Sequence, residues 1–165
     1  SMTQTMLSRW LKLVAIVVGA ALAVFFALLM PWLTLVLRHS SYIGYTPPTA
    51  AHGIALLAAV DLTAVPCGGA LLRFWRIADN IGRDRSFCRE NVRHLLAISR
   101  YALVCVGWCL VVTAAFTVMG VIHLSFVAAA LFLMLAGAAV AVAAAALAHL
   151  TEKAARIKEE NDLTV

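Results

Sequence analysis

Four stretches of this chain leave it few ways to fold. Leu13–Leu37, Tyr101–Ile122 and Ser125–Ala148 contain no charged residue, and Gly53–Leu72 contains one, Asp61. A helix needs roughly 20 mostly apolar residues to cross the ~30 Å hydrocarbon core of a bilayer. Each stretch meets that length, and none alternates with period two, which argues against a transmembrane barrel. Composition excludes the other classes. The chain is 64% hydrophobic and 13% charged, with a mean hydropathy of +0.95. Soluble domains are about 45–50% apolar and about 25% charged, and disorder needs low hydrophobicity. A soluble globule this small buries only about two-thirds of its surface and would show apolar patches throughout. The expected architecture is all-α: an integral membrane four-helix bundle forming one transmembrane domain over 1–165. Its helices are expected at about 11–37, 53–81, 87–122 and 125–160. The first run follows Arg9 and Lys12 as a signal peptide would, but it is too long, and no small-residue cleavage site precedes Pro31 and Trp32.

The loops set the topology. Pro47-Pro48 stops helix continuation between the first two spans. The turn around His123–Ser125 is short, so helices three and four form an antiparallel hairpin. Arg38 is the one basic residue between helices one and two. Arg9 and Lys12 precede helix one. Arg73, Arg76, Arg83, Arg85, Arg89, Arg93 and Arg100 lie between helices two and three, and Lys153, Arg156 and Lys158 follow helix four. Twelve of the thirteen thus fall on one side. The positive-inside rule then gives N-in and C-in, with four membrane crossings. The +5 charge is therefore a topology signal, with anionic lipid as its default partner, and no direct nucleic-acid binding is expected.

Helices two, three and four are expected to extend into the cytoplasm. Phe74, Ile77, Ala78 and Ile81 keep helical spacing past the apolar run, and Gly82 is placed to end that helix. Ser86 reads as an N-cap, with Glu90 favourable in the first turn of helix three. Leu147, Leu150, Ala154 and Ile157 continue helix four as a stripe. Glu152–Arg156 and Arg156–Glu160 are opposite charges at i,i+4. The acidic tail (Glu159, Glu160, Asp162) is placed to fold back on the arginine loop. These charges read either as a solvated face or as a docking surface for a cytosolic protein.

Asp61 is the outlier among candidate functional residues. It lies about eight residues into helix two, and a carboxylate there costs on the order of 2.5–3.5 kcal/mol to insert. Three readings stand: an ion pair with Arg100, a protonated carboxyl bonded to backbone or threonine, or a proton or cation site. His39, His52 and His123 fall at the outer helix ends, and His94 and His149 at the inner ends. Such groupings suit a metal or a haem, but neither has the short spacing of a ligand pair, and interfacial histidine is common. Cys67, Cys88, Cys105 and Cys109 include no CxxC and read as small apolar groups. Gly137, Ala141 and Ala145 form a small-xxx-small series for close packing within the chain or in a homo-oligomer. Pro31 and Pro66 mark kinks. No Walker A, GxGxxG, HExxH or GxSxG motif occurs.

Two segments resemble a known family. One is Ile77-Ala78-Asp79-Asn80-Ile81-Gly82 followed by Ser86-Phe87-Cys88-Arg89-Glu90-Asn91-Val92. The other is His149-Leu150 through Glu159-Glu160-Asn161-Asp162-Leu163-Thr164-Val165. Together they resemble the YoaS-like family of small bacterial four-helix membrane proteins, a domain of unknown function. Genes of that family often sit beside a small Cro/CI-type helix-turn-helix regulator, so the resemblance implies a membrane partner or antagonist of a transcription factor. The leading expectation is a non-enzymatic membrane protein without cofactor or metal. Its candidate interaction residues are Phe87, Glu90, Asn91, Glu159, Glu160, Asn161, Asp162 and Leu163. The alternatives are a small transporter or channel using Asp61, and a haem or metal protein using the histidines.

Overall fold

The computed structural model describes residues 3–32, 50–120 and 124–164. Helix α1 covers Gln4–Val24, seven residues ahead of the expected start at 11. Thr3 sets that start: its extended backbone leaves the helix, and its Oγ1 accepts from the Met6 amide at 3.2 Å. The helix continues to Trp32 through a π-helical turn at Phe25–Leu29. Pro31 crowds the carbonyl four residues back, that of Ala27, and the wider turn relieves it. The expected end at 37 lies outside the described residues.

The second span is two helices, α2 (Ala50–Asp61) and α3 (Ala64–Gly82). The break at Leu62–Thr63 again lies one turn before a proline, Pro66, which has no amide to offer Leu62. Thr63 caps the interruption by donating its hydroxyl to the Val60 carbonyl at 2.6 Å. Helix α4 covers Arg89–Val118, and α5 covers Leu124–Leu163. At 1.5 Å per residue, the 40 residues of α5 run roughly 60 Å, about twice a hydrocarbon core. α5 is therefore longer than a single bilayer crossing requires.

Packing follows chain order. The largest interface joins α4 and α5; α3 packs on α4, and α1 on α3. Among the described residues, α1 and α5 make no comparable face with each other. On α5, Ala130, Met134, Ala141, Ala144, Ala148 and Ala155 are buried, at steps of three, four and seven that hold one side of the helix. Small residues there let backbones approach. A Cβ added to Gly137 would stand 2.7 Å from Val106 Cγ2, and Ser99 donates its hydroxyl to the Ala141 carbonyl at 2.8 Å. Ala145 is exposed, so the seam runs Gly137–Ala141–Ala144–Ala148 rather than through Ala145. This face is occupied by α4 of the same chain.

The outer surface is apolar. Leu28, Val65, Phe132 and Leu135 are each at least 67% exposed, and at most 17% of any apolar span is buried. Four helices are long and apolar enough to cross a membrane. Together with the lipid-suited exterior, this is the form of a multi-pass membrane protein.

Candidate functional site at the charged helix ends

The charged ends of α1, α3, α4 and α5 meet in a polar assembly, although polar side chains are otherwise sparse in this fold. Its centre is Asn91, which is 2% exposed. Asn80 Nδ2 donates to Asn91 Oδ1 at 2.8 Å. Asn91 Nδ2 in turn donates to the Ser86 carbonyl at 3.0 Å and reaches the Arg85 carbonyl at 3.5 Å. The two amides therefore fasten the α3–α4 turn from inside. Asn91 is an interior residue, so any influence it has on a partner runs through the turn it holds.

The turn departs from the sequence expectation at both ends. Gly82 does not adopt the left-handed conformation; Asp84 does, with φ 59°. The Arg85 amide donates to Asn80 O at 2.9 Å and the Asp84 amide to Ile81 O at 3.1 Å, the paired bonds of a Schellman ending. Gly82 is instead needed for space, because an added Cβ would lie 2.7 Å from Ser8 Oγ. Ser8 is 5% exposed and donates to the Ala78 carbonyl at 2.7 Å, which locks α1 to α3. Ser86 is not the N-cap. Cys88 holds that position without a side-chain bond, because Asn91 has already drawn the Ser86 carbonyl inward. The Ser86 hydroxyl donates to Gln4 Oε1 at 3.3 Å.

Ion pairs surround this centre. Lys12 Nζ meets Asp79 Oδ1 at 3.0 Å and lies 5.1 Å from the Trp75 ring centroid, within cation–π range. Arg83 meets the other Asp79 oxygen at 3.3 Å. Buried His94 bridges Arg73 (Nη1 to Nδ1, 3.2 Å) and Glu90 (Nε2 to Oε1, 3.4 Å). Since guanidinium only donates, Nδ1 accepts and Nε2 carries the proton towards Glu90. Arg85 lies 3.7 Å from the other Glu90 oxygen.

Arg89, the first residue of α4, holds the tail. It meets Glu159 at 3.1 and 3.3 Å through two nitrogens, and Glu152 at 3.7 Å. Arg156 pairs with Glu152 at 3.7 Å, the first of the two pairs the spacing suggested. The acidic tail does not fold back: α5 runs unbroken to Leu163, and of its acidic residues Glu159 meets Arg89 from the helix itself. Glu160, Asn161, Asp162 and Leu163 are exposed on the last turn of α5, and Phe87 is 56% exposed in the turn. These charged groups lie beyond the uncharged apolar runs. There the Arg89 guanidinium holds the Glu159 carboxyl below the usual carboxylate range by hydrogen bonding and charge. Lys12 does the same for Asp79.

Asp61 and Arg100 are not brought together. Tyr101 stands against Gly69, where a Cβ would meet its ring at 2.8 Å, and Trp108 Nε1 donates to the Ala59 carbonyl at 2.7 Å. In that antiparallel register Arg100 falls level with about Ala70, roughly nine residues along the second span from Asp61, or roughly 14 Å. Arg100 is exposed, and the Thr63 hydroxyl is committed to Val60. Asp61 Oδ1 is enclosed with no hydrogen-bond partner among the described residues.

The four cysteines are free. His39 and His123 lie outside the described residues, as does the side chain of His52; His149 is exposed. Among the described residues, no group of three or more His, Cys, Asp or Glu side chains could hold a metal ion. Sequence reasoning missed Asn80, Ser8 and the interior role of His94. The available signal was their type: small or uncharged polar residues among the charged side chains of the helix ends.

A model of the family described as "Protein of unknown function (DUF2975)" matches residues 41–165, and the chain belongs to that family. No curated protein matches the chain. No solved structure matches it.

Proposed function

We propose that this member of the DUF2975 family is a non-enzymatic, multi-pass protein of a bacterial plasma membrane, N-in and C-in, whose charged helical end docks a cytosolic protein. The observation that carries the reading is the clamp of Arg89 on Glu152 and Glu159. It fixes the α5 tail beside a turn that Asn80 and Asn91 hold from within. A solvated charged end needs no such ordering. A docking surface does, because immobilising side chains before contact reduces the entropy lost on binding.

The exposed elements of that end are Phe87, an aromatic suited to anchoring a partner, and the acidic residues Glu160 and Asp162. The asymmetric charge supports the orientation, with twelve of thirteen basic residues on the side of this assembly. The resemblance to YoaS-like proteins supports a small helix-turn-helix regulator as the partner, since the similar segments are this turn and this tail.

The test is direct titration of the purified full chain, in lipid nanodiscs, against a purified small helix-turn-helix regulator of the Cro/CI type. Saturable binding is expected, weakened about tenfold or more by Phe87→Ala or by deletion of 159–165. Absence of binding to the full chain, or equal binding by both variants, would overturn the proposal.

A further inference from the structure

A second feature lies away from the charged end. α1 and the broken second span line an open cleft of about 590 Å³, within the roughly 300–1,000 Å³ range of small-molecule sites. Gly19, Leu22 and Phe26 wall it on α1; Asp61, Cys67 and Gly68 wall it on the other side. Its one carboxyl group is that of Asp61, whose Oδ1 is enclosed and unpartnered among the described residues. Asp61 is also the last residue of α2.

We infer that this cleft binds a lipophilic monovalent cation, with Asp61 as the counter-charge. An inorganic cation is the poorer fit. Calcium takes 6–8 oxygens and magnesium near-octahedral oxygen geometry, whereas this wall presents a single carboxyl group amid carbon. A cation whose charge is spread over apolar groups sheds water cheaply and uses the remaining wall as contact surface. The Phe26 ring adds cation–π attraction. An unpaired carboxylate at this depth is expensive to keep, and such a ligand neutralises it.

Tetraphenylphosphonium is the probe, titrated into the full chain in detergent and followed calorimetrically. Saturable binding is expected. Asp61→Asn should weaken it about tenfold or more, and Asp61→Glu should retain it. Gly68→Leu keeps the carboxylate and fills the space, since nothing lies within 4 Å of a Cβ there, and it should also weaken binding. Neutral triphenylphosphine oxide should not compete. Unchanged melting temperatures in the variants separate loss of the site from loss of the fold. The inference is overturned if wild type shows no saturable binding, if Asp61→Asn binds equally, or if the neutral compound competes as well as the cation, which would make the cleft a lipid-tail groove.

Discussion

Asn80 and Asn91 face each other across the α3–α4 turn, Nδ2 to Oδ1 at 2.8 Å, with Asn91 among the most deeply buried side chains in the protein. Each supplies what the other needs. Asn80 ends α3, and Asn91 opens α4 while holding the chain between them through the Ser86 carbonyl. Removing the second partner should therefore cost less than removing the first. Asn91→Ala should cost about 1–3 kcal/mol, because it leaves the buried Asn80 amide unsatisfied. Asn80→Ala with Asn91→Ala should cost less than the sum of the single changes. Chemical denaturation of the four species in detergent, read as a double-mutant cycle, checks this; strict additivity would count against the pairing.

The contact between Ser8 and Gly82 makes a second prediction. Gly82→Ala places a methyl 2.7 Å from Ser8 Oγ, at a site where α1 and α3 are already hydrogen-bonded through Ser8. The expected loss is about 1–3 kcal/mol from overpacking. Gly19→Ala meets nothing within 4 Å and should be neutral or slightly stabilising, since alanine is the better helix former. Melting temperatures of the two variants, compared in one detergent, check the contrast.

The Arg89–Glu159 clamp should depend on pH and salt. The folded state lowers the Glu159 pKa, first through its hydrogen bond with Arg89. A carboxyl depressed on folding contributes stability above its unfolded value, about 4.3 for glutamate. That contribution is lost as pH falls through the lower folded value. Both partners are solvent-exposed, so about 1 M salt should weaken the clamp at neutral pH. Amide exchange over residues 157–164 should accelerate at acid pH relative to the intrinsic rate, at high salt, and in Glu159→Gln at pH 7. Unchanged protection in Glu159→Gln would show that the tail is ordered without the clamp.

How much was legible depended on whether the signal was local. Hydropathy located the spans, because removal of apolar length from water is set by composition over about twenty residues. Pro31 and Pro66 marked their distortions, because a missing amide and a ring clash act within one turn. The Asp61–Arg100 pairing failed because it assumed an axial register, and that is set by which side chains allow α3 and α4 to meet. Tyr101 seated on Gly69 moves Arg100 roughly two and a half turns away. Gly82 was misread for a similar reason: its value is space for Ser8, a residue of α1 far away in the chain.

By itself the sequence determined an all-α chain with four stretches long and apolar enough to cross a membrane. Those properties follow from apolar length, which needs no knowledge of neighbours. The tertiary structure alone decided that small residues of α5 seat α4, that Asn91 lies inside, and that Arg89 holds Glu159. It also decided that Asp61 faces a cleft instead of an arginine. Each of these turns on rotation and register between helices. Hydropathy cannot specify them, because every face of a lipid-exposed helix is apolar; they are settled where glycines, alanines and a few hydrogen-bonding side chains allow backbones to approach.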